Sequence, residues 1–316
     1  MSYRFKLAGL DLKLSNNRGH RILYFHQVTL ENPPYYDGGI SPERFLELLF
    51  AVRKLGFRFI PLEEALSSQT ALRGTVSLCS DDGLACNYHS VLPILEDLGI
   101  GLCVFLIGKC IDNKDFAWNH LLKLLRSQVS DTGLQAVLPE IQSNFSLHDT
   151  GLISSTLFSV AQERRDELIA YLWERFGLSD PYDILHKEQP FLSSAQLSEM
   201  SLKGVTLALH SHTHADLSRL GFKDLKQELL LNIEALEQRS LPWQPWLAFP
   251  YGRQCSMEHM RKLRQELGIE RFFGIRFQSG DNRPEDLLWQ RIGMETDGFT
   301  TWRDLLLKPF VRRLKG

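Results

Sequence analysis

Two short stretches of this sequence carry the residue types that water-activating chemistry needs. Ser80-Asp81-Asp82-Gly83 sets two carboxylates side by side directly after the apolar run Thr75–Leu78. Alone, such a dyad reads as a solvated turn, since Asp and Gly dominate turns. Two adjacent carboxylates cannot both enter a core without severe cost. Leu209-His210-Ser211-His212-Thr213-His214 closes a second apolar run and gathers three of the ten histidines. Imidazole is the commonest zinc ligand, and histidines four apart can approach one ion. Together the stretches offer two histidines and one carboxylate, a set that leaves coordination positions open for water and substrate. A spare carboxylate sits beside the ligand. Hydrolysis needs this division, with one group holding the metal while its neighbour accepts a proton from the water. A third stretch, Ala248-Phe249-Pro250-Tyr251-Gly252, reads by itself as a strand ending in a proline–glycine turn.

The elements that must position these residues follow from periodicity. Strand candidates are Arg21–Val28, Phe57–Leu62, Thr75–Ser80, Gly101–Ile107, Val205–His210, Trp246–Pro250, Arg271–Phe277 and Leu288–Met294. Several are apolar on consecutive residues, as strands covered on both faces must be. Amphipathic helices lie between them. One starts at Ser41-Pro42-Glu43, carries Phe45, Leu48, Leu49, Val52 and Leu55 on one face, and stops at Gly56; another repeats Phe222, Leu225, Leu229, Ile233 and Leu236. The alternation predicts an α/β fold, a distorted parallel (β/α) barrel of seven to eight strands over residues 20–298, with the site at the strand C-termini. From 112 to 190 no strand pattern occurs, while Phe116–Gln128 and Ser154–Phe176 look helical. This is read as a helical insertion, either a scaffold extension or a lid or wall for substrate.

The motifs, in this order, resemble those of the polysaccharide deacetylases of the NodB-homology group, carbohydrate esterase family 4. The family's Thr-Phe-Asp-Asp-Gly signature appears as Cys79-Ser80-Asp81-Asp82-Gly83, and its His-Ser/Thr-x-x-His signature as His210-Ser211-His212-Thr213-His214. Its Arg-x-Pro-Tyr signature appears as Ala248-Phe249-Pro250-Tyr251, and the stretch Tyr88–Phe105 looks like the segment that follows the first signature. The resemblance covers roughly residues 20–110 and 190–295. It implies a hydrolase that removes an acyl group from an amino sugar or glycan, using a divalent ion with zinc as the first choice. Asp81 is then the catalytic base, and Asp82, His210 and His214 are the metal ligands. Pro250 and Tyr251 meet the substrate, with the Tyr251 main-chain N–H helping to hold the oxyanion. His212 is a bystander or supports the ligands from behind, and Ser211 is a hydrogen-bond partner that orients the loop.

Two departures stand out. Ala248 occupies the place of the arginine that many members set against the catalytic aspartate. The late histidine that many members use as general acid is also missing, since His259 lies inside a predicted helix. Tyr24-Phe25-His26-Gln27-Val28 resembles the Tyr-His arrangement on the first strand of the deacetylases of poly-N-acetylglucosamine export systems, which nominates His26 as the acid. Failing that, His120, His148 and His186 of the insertion are the remaining imidazoles. A glycan-binding protein that keeps the barrel without turnover is the main alternative. A non-haem iron oxygenase also uses two histidines and a carboxylate, but not a second adjacent carboxylate as base.

Bulk properties bound the rest. The chain has 316 residues, 43% hydrophobic and 23% charged, enough for a sizeable buried core. Lys+Arg 36 against Asp+Glu 38 gives a net charge of −2, which gives no reason to expect a nucleic-acid partner, although it leaves room for a local basic patch. Five cysteines, odd in number and without a CxxC pair, read as reduced thiols. With no signal-peptide pattern at the start, the cytoplasm is the expected address, with a lipid-linked glycan precursor at the inner membrane face as one substrate. Residues 299–316 mix Trp302, Leu305–Leu307 and Phe310 with Lys308, Arg312, Arg313 and Lys315. They read as a closing helix with a basic tip, or as a peripheral contact with an anionic membrane.

Overall fold

The apolar runs become parallel strands and the amphipathic stretches become helices that cover them. The computed structural model describes residues 4–7, 10–13, 20–31, 33–36, 38–68, 72–148, 150–275, 282 and 285–295. The basic stretch 299–316 lies outside the described residues, as do the expected strand end at 276–277 and barrel end at 296–298. In chain order the strands are β1 (Arg4–Leu7), β2 (Leu10–Lys13), β3 (Arg21–Phe25), β4 (Arg58–Phe59), β5 (Thr75–Ser80), β6 (Leu102–Leu106), β7 (Thr206–Leu209), β8 (Trp246–Ala248), β9 (Arg271–Gly274), β10 (Leu288–Gln290) and β11 (Ile292–Gly293). β1 and β2 form a separate antiparallel pair. The main sheet runs β10-β9-β8-β7-β6-β5-β3-β11, with every pairing parallel and β4 added beside β5.

The two ends of that order meet in one interrupted strand. β10 pairs with β9, β11 pairs with β3, and only Arg291 separates them. The sheet is thereby nearly closed into a barrel. Two expected strands are corrected. Leu288–Met294 divides at Arg291 because its halves serve opposite neighbours. Phe57–Leu62 shrinks to Arg58–Phe59, since Pro61 starts a helix in which Glu63 and Glu64 occupy the first turn.

The helices are α1 (Pro42–Lys54), α2 (Leu62–Ser67), α3 (Leu92–Leu98), α4 (Trp118–Gln128), α5 (Asp131–Phe145), α6 (Ile153–Phe158), α7 (Arg165–Phe176), α8 (Pro181–Glu188), α9 (Ser194–Leu202), α10 (Phe222–Glu237) and α11 (Met257–Leu267). α1 begins as its sequence predicts, with the Arg44 N–H donating to Ser41 Oγ at 3.2 Å. Between β6 and β7 the described residues contain helices and no strand. The single helix expected over Ser154–Phe176 is broken instead. Ser159 Oγ donates to the Thr156 carbonyl at 2.7 Å and accepts from the His148 N–H at 2.9 Å, a local alternative to continuing the helix.

Alternate strand residues divide between two apolar clusters. Leu23, Phe25, Val76, Leu78, Val104, Leu207 and Phe272 pack outward with Phe45, Leu49, Leu229 and Leu263 of the covering helices. Ile22, Cys79, Cys103, Phe105, Ala208, Phe273 and Trp289 fill the barrel interior. The inward parity continues past the strand ends. His26, Asp81, His210 and Arg291 lie two residues beyond Tyr24, Cys79, Ala208 and Trp289 respectively. A third cluster, including Leu125, Leu134, Ile141, Leu168 and Leu172, lies within α4–α7 and reaches the barrel through Leu84, Ile107 and Phe191.

At the opposite end of the strands, His20 is buried with its Nδ1 2.9 Å from Thr75 Oγ1, and its Nε2 has no partner. Burial, then the charge of Arg21, pushes its pKa from 6.5 down to about 3. The folded chain therefore refuses a proton that the unfolded chain accepts, so stability present above pH 6.5 is lost as pH falls toward 3. In urea unfolding at stepped pH, His20→Asn should lose less stability than wild type across that window. Parallel losses in the two proteins would refute the assignment.

Candidate active site

Every element of the site leaves the C-terminal end of a barrel strand. Past β5, the Asp81 N–H donates to the Phe25 carbonyl at 3.0 Å, which keeps Asp81 in the ladder. The chain then turns sharply, with φ of 70° at Asp82 and 74° at Gly83. The positive φ favours glycine at residue 83, and a Cβ there would press on Leu106 Cδ2 at 2.7 Å. Asp82, Ser211, His214 and Tyr251 all hold positive φ without being glycine. Backbone strain of this kind persists only where the surroundings impose it.

Asp81 is 3% exposed, and Arg291 grips it from the break between β10 and β11. Arg291 Nη1 donates to Oδ1 at 2.6 Å and Nη2 donates to Oδ2 at 2.9 Å. Burial alone would raise the Asp81 pKa, but the guanidinium, helped by His210, holds it below the usual carboxylate range. The pair supplies what Ala248 cannot, because Ala248 is a small interior residue beneath the site. The strand candidate Leu288–Met294 holds the signal, an arginine two residues after the inward-facing Trp289.

Asp82 is 2% exposed and has two differently used oxygens. Oδ1 lies 3.4 Å from His210 Nε2 and 3.4 Å from His214 Nε2, yet has no hydrogen-bond partner. Oδ2 lies 3.2 Å from Nε2 of His120, which belongs to α4. Burial acts to raise the Asp82 pKa, but the three imidazoles hold it well below the ordinary value. His210 Nδ1–H donates to the Ala248 carbonyl at 2.9 Å, which turns Nε2 toward Asp82. Burial holds His214 well below the usual imidazole range and therefore neutral.

The donor atoms of Asp82, His210 and His214 lie within 4.8 Å of one another. A buried, ionised oxygen facing two imidazole nitrogens without a hydrogen bond is a gap that fits a cation. The nitrogen-rich set fits zinc or a similar divalent ion. His212 stands outside the group and packs against Gly108.

His26 follows β3, and its Nδ1 lies 2.6 Å from Glu295 Oε2. Glu295 Oε1 also accepts from the main-chain N–H of His26 at 2.9 Å and of Gln27 at 2.6 Å. Burial would lower the His26 pKa, but the Glu295 carboxylate overrides it and pushes the ring up to about 9. Glu295 escaped notice in the sequence because it lies one residue beyond the last strand candidate. Past β8, Pro250–Gly252 form one tight turn in which Tyr251 has φ of 56°. The Tyr251 ring sits edge-on to His214, 4.4 Å between centroids. Pro250 is buried and shapes the turn without lining the cavity.

His26, Asp81, Asp82, His210, His214, Tyr251 and Arg291 converge on one cavity of about 390 Å³. The segment between β6 and β7 furnishes part of its wall through Asn119, Leu122, Lys123, Arg126, Leu157 and Phe158. Of the imidazoles in that segment, His120 reaches the site through Asp82, while His148 and His186 do not line the cavity.

The chain resembles the structure of IcaB from Ammonifex degensii with a TM-score of 0.60 and 16% identity, covering 92% of this chain and 97% of that one. It resembles a de-N-acetylase from Aggregatibacter actinomycetemcomitans with a TM-score of 0.57 and 14% identity, covering 91% and 99%. The deacetylase PplD from Streptococcus pyogenes, solved with acetate, follows with a TM-score of 0.53 and 14% identity over 87% and 92%. At such identities these likenesses concern the fold. No curated protein matches the sequence. The polysaccharide deacetylase family profile, however, matches residues 68–272, a span that holds both aspartates, both site histidines and Tyr251. On that match, the chain belongs to the polysaccharide deacetylase family.

Proposed function

We propose that this protein removes an acetyl group from an amino sugar within a glycan, by hydrolysis at the cavity around Asp81 and Asp82. The observation that carries the reading is the division between the two aspartates. Asp82 faces two imidazole nitrogens, while Asp81 faces a guanidinium and stays ionised. Asp82, His210 and His214 would hold a divalent ion, zinc by donor type. Such an ion supplies Lewis acidity to a carbonyl oxygen and to an attacking water.

The chain's own residues do the rest. Asp81 accepts the proton of the water as it attacks the acetyl carbonyl, and Arg291 fixes the carboxylate in the plane that points it at that water. The Tyr251 main-chain N–H donates to the oxygen on which negative charge develops. His26 donates a proton to the leaving amine. Its Nδ1 is committed to Glu295, so the other ring nitrogen, Nε2, is the donor, and Glu295 keeps the ring charged near neutral pH. The ion pair of Arg291 with Asp81 and that of His26 with Glu295 favour turnover over a glycan-binding protein without it.

Two measurements test the reading. Acetate release from N-acetylated amino-sugar oligomers, assayed with zinc present, should be lost about 10²–10⁴-fold in Asp81→Asn, with bound metal retained. Metal lost along with activity would mean that the aspartates have exchanged roles. His26→Ala should slow release from amides far more than from activated aryl acetates, whose leaving groups need little protonation. Equal losses on the two substrate types would remove His26 from the acid role.

A further inference from the structure

The metal-binding reading above leaves one buried side chain unassigned. His120 sits in the first turn of α4, fully buried, in a segment that lies outside the barrel strands. Its ring is packed edge-on to Phe191 at 5.2 Å between centroids and lies 6.3 Å from the Tyr36 ring. Among the described residues its close polar neighbours are Asp82 Oδ2 at 3.2 Å and Asn119 Nδ2 at 3.5 Å, both on Nε2, and Nδ1 has no partner there. An ionised carboxylate only accepts, so the ring hydrogen sits on Nε2 and points at Oδ2. The Asp82 carboxylate is thus held on one side by α4 and turned on the other toward His210 and His214.

We propose that His120 is a positioning residue of the metal centre: by occupying Asp82 Oδ2 it leaves only Oδ1 as donor, and so ties the affinity of the site to the packing of α4 against the barrel. The reasoning is chemical. A carboxylate on a strained turn with φ of 70° has no covalent restraint on its rotation other than its own side-chain torsions. One charge-assisted hydrogen bond to a ring wedged between Phe191 and Tyr36 supplies the restraint. The inference rests on the metal reading, and its test separates the two.

The variants are His120→Gln, which can return an N–H near the position of Nε2, and His120→Met, which fills similar volume without a donor. Zinc affinity is measured on each purified full chain by competition with a chromophoric chelator, with thermal melting of the zinc-free proteins alongside. Wild type should bind one zinc. His120→Met should bind it about 10–100-fold more weakly, in line with the loss of an outer-shell partner, and His120→Gln should recover most of that loss. Met and wild type binding alike would overturn the inference alone, as would Gln and Met weakened equally, which would reduce His120 to packing. A wild type that binds no zinc would overturn the metal reading and this inference together.

Discussion

Two consecutive carboxylates, both buried at the mouth of a barrel, are the constraint to which the rest of the site answers. Neither Asp81 nor Asp82 could stay ionised at 3% and 2% exposure without partners. Each has its own. Asp81 takes a guanidinium in a two-pronged grip, and Asp82 takes three imidazoles spread over its two oxygens. The partners differ in kind, and so do the consequences. A permanent cation balances the charge of Asp81. Oδ1 of Asp82 faces two imidazole nitrogens without a hydrogen bond, an arrangement that suits a bound cation.

The barrel solves the placement. Parallel strands all present their C-terminal ends to the same side, and the inward parity that sets Cys79, Ala208 and Trp289 in the interior carries on to Asp81, His210 and Arg291. The closing strand has to change neighbours between β10 and β11, and the residue at the change is Arg291. The same interruption that joins the sheet's ends thus directs a guanidinium into the mouth. The helices after β6 complete the arrangement from outside, with His120 against Asp82 and several side chains along the cavity wall.

Much of this was legible in the residues. Thr75–Ser80 matches its strand without change, and α1 and α10 begin where Ser41-Pro42 and Phe222 indicate. The four site residues Asp81, Asp82, His210 and His214 come together as their positions after apolar runs imply. What escaped was long-range. Arg291 lies 210 residues from Asp81, and no local pattern links them. His120 looked like one imidazole among several, because its meaning depends on how α4 packs. α5 has no counterpart among the expected helices, and Gly133 and Pro139 are poor helix formers. Its buried face of Leu134, Val137, Leu138, Ile141 and Phe145 outweighs them. Within 57–62, propensity favoured a strand, but Pro61 and the acidic first turn of α2 prevailed.

The central claim, that the Asp82 carboxylate and two imidazoles form a cation site while Asp81 stays apart from it, is tested most directly by anomalous diffraction. Crystals grown with zinc, measured on both sides of the zinc absorption edge, should show a peak about 2.0–2.2 Å from Asp82 Oδ1, His210 Nε2 and His214 Nε2. Asp81 should remain bound to Arg291 beyond ligand distance. A peak on Asp81, or no peak among these residues at saturating zinc, would contradict the account.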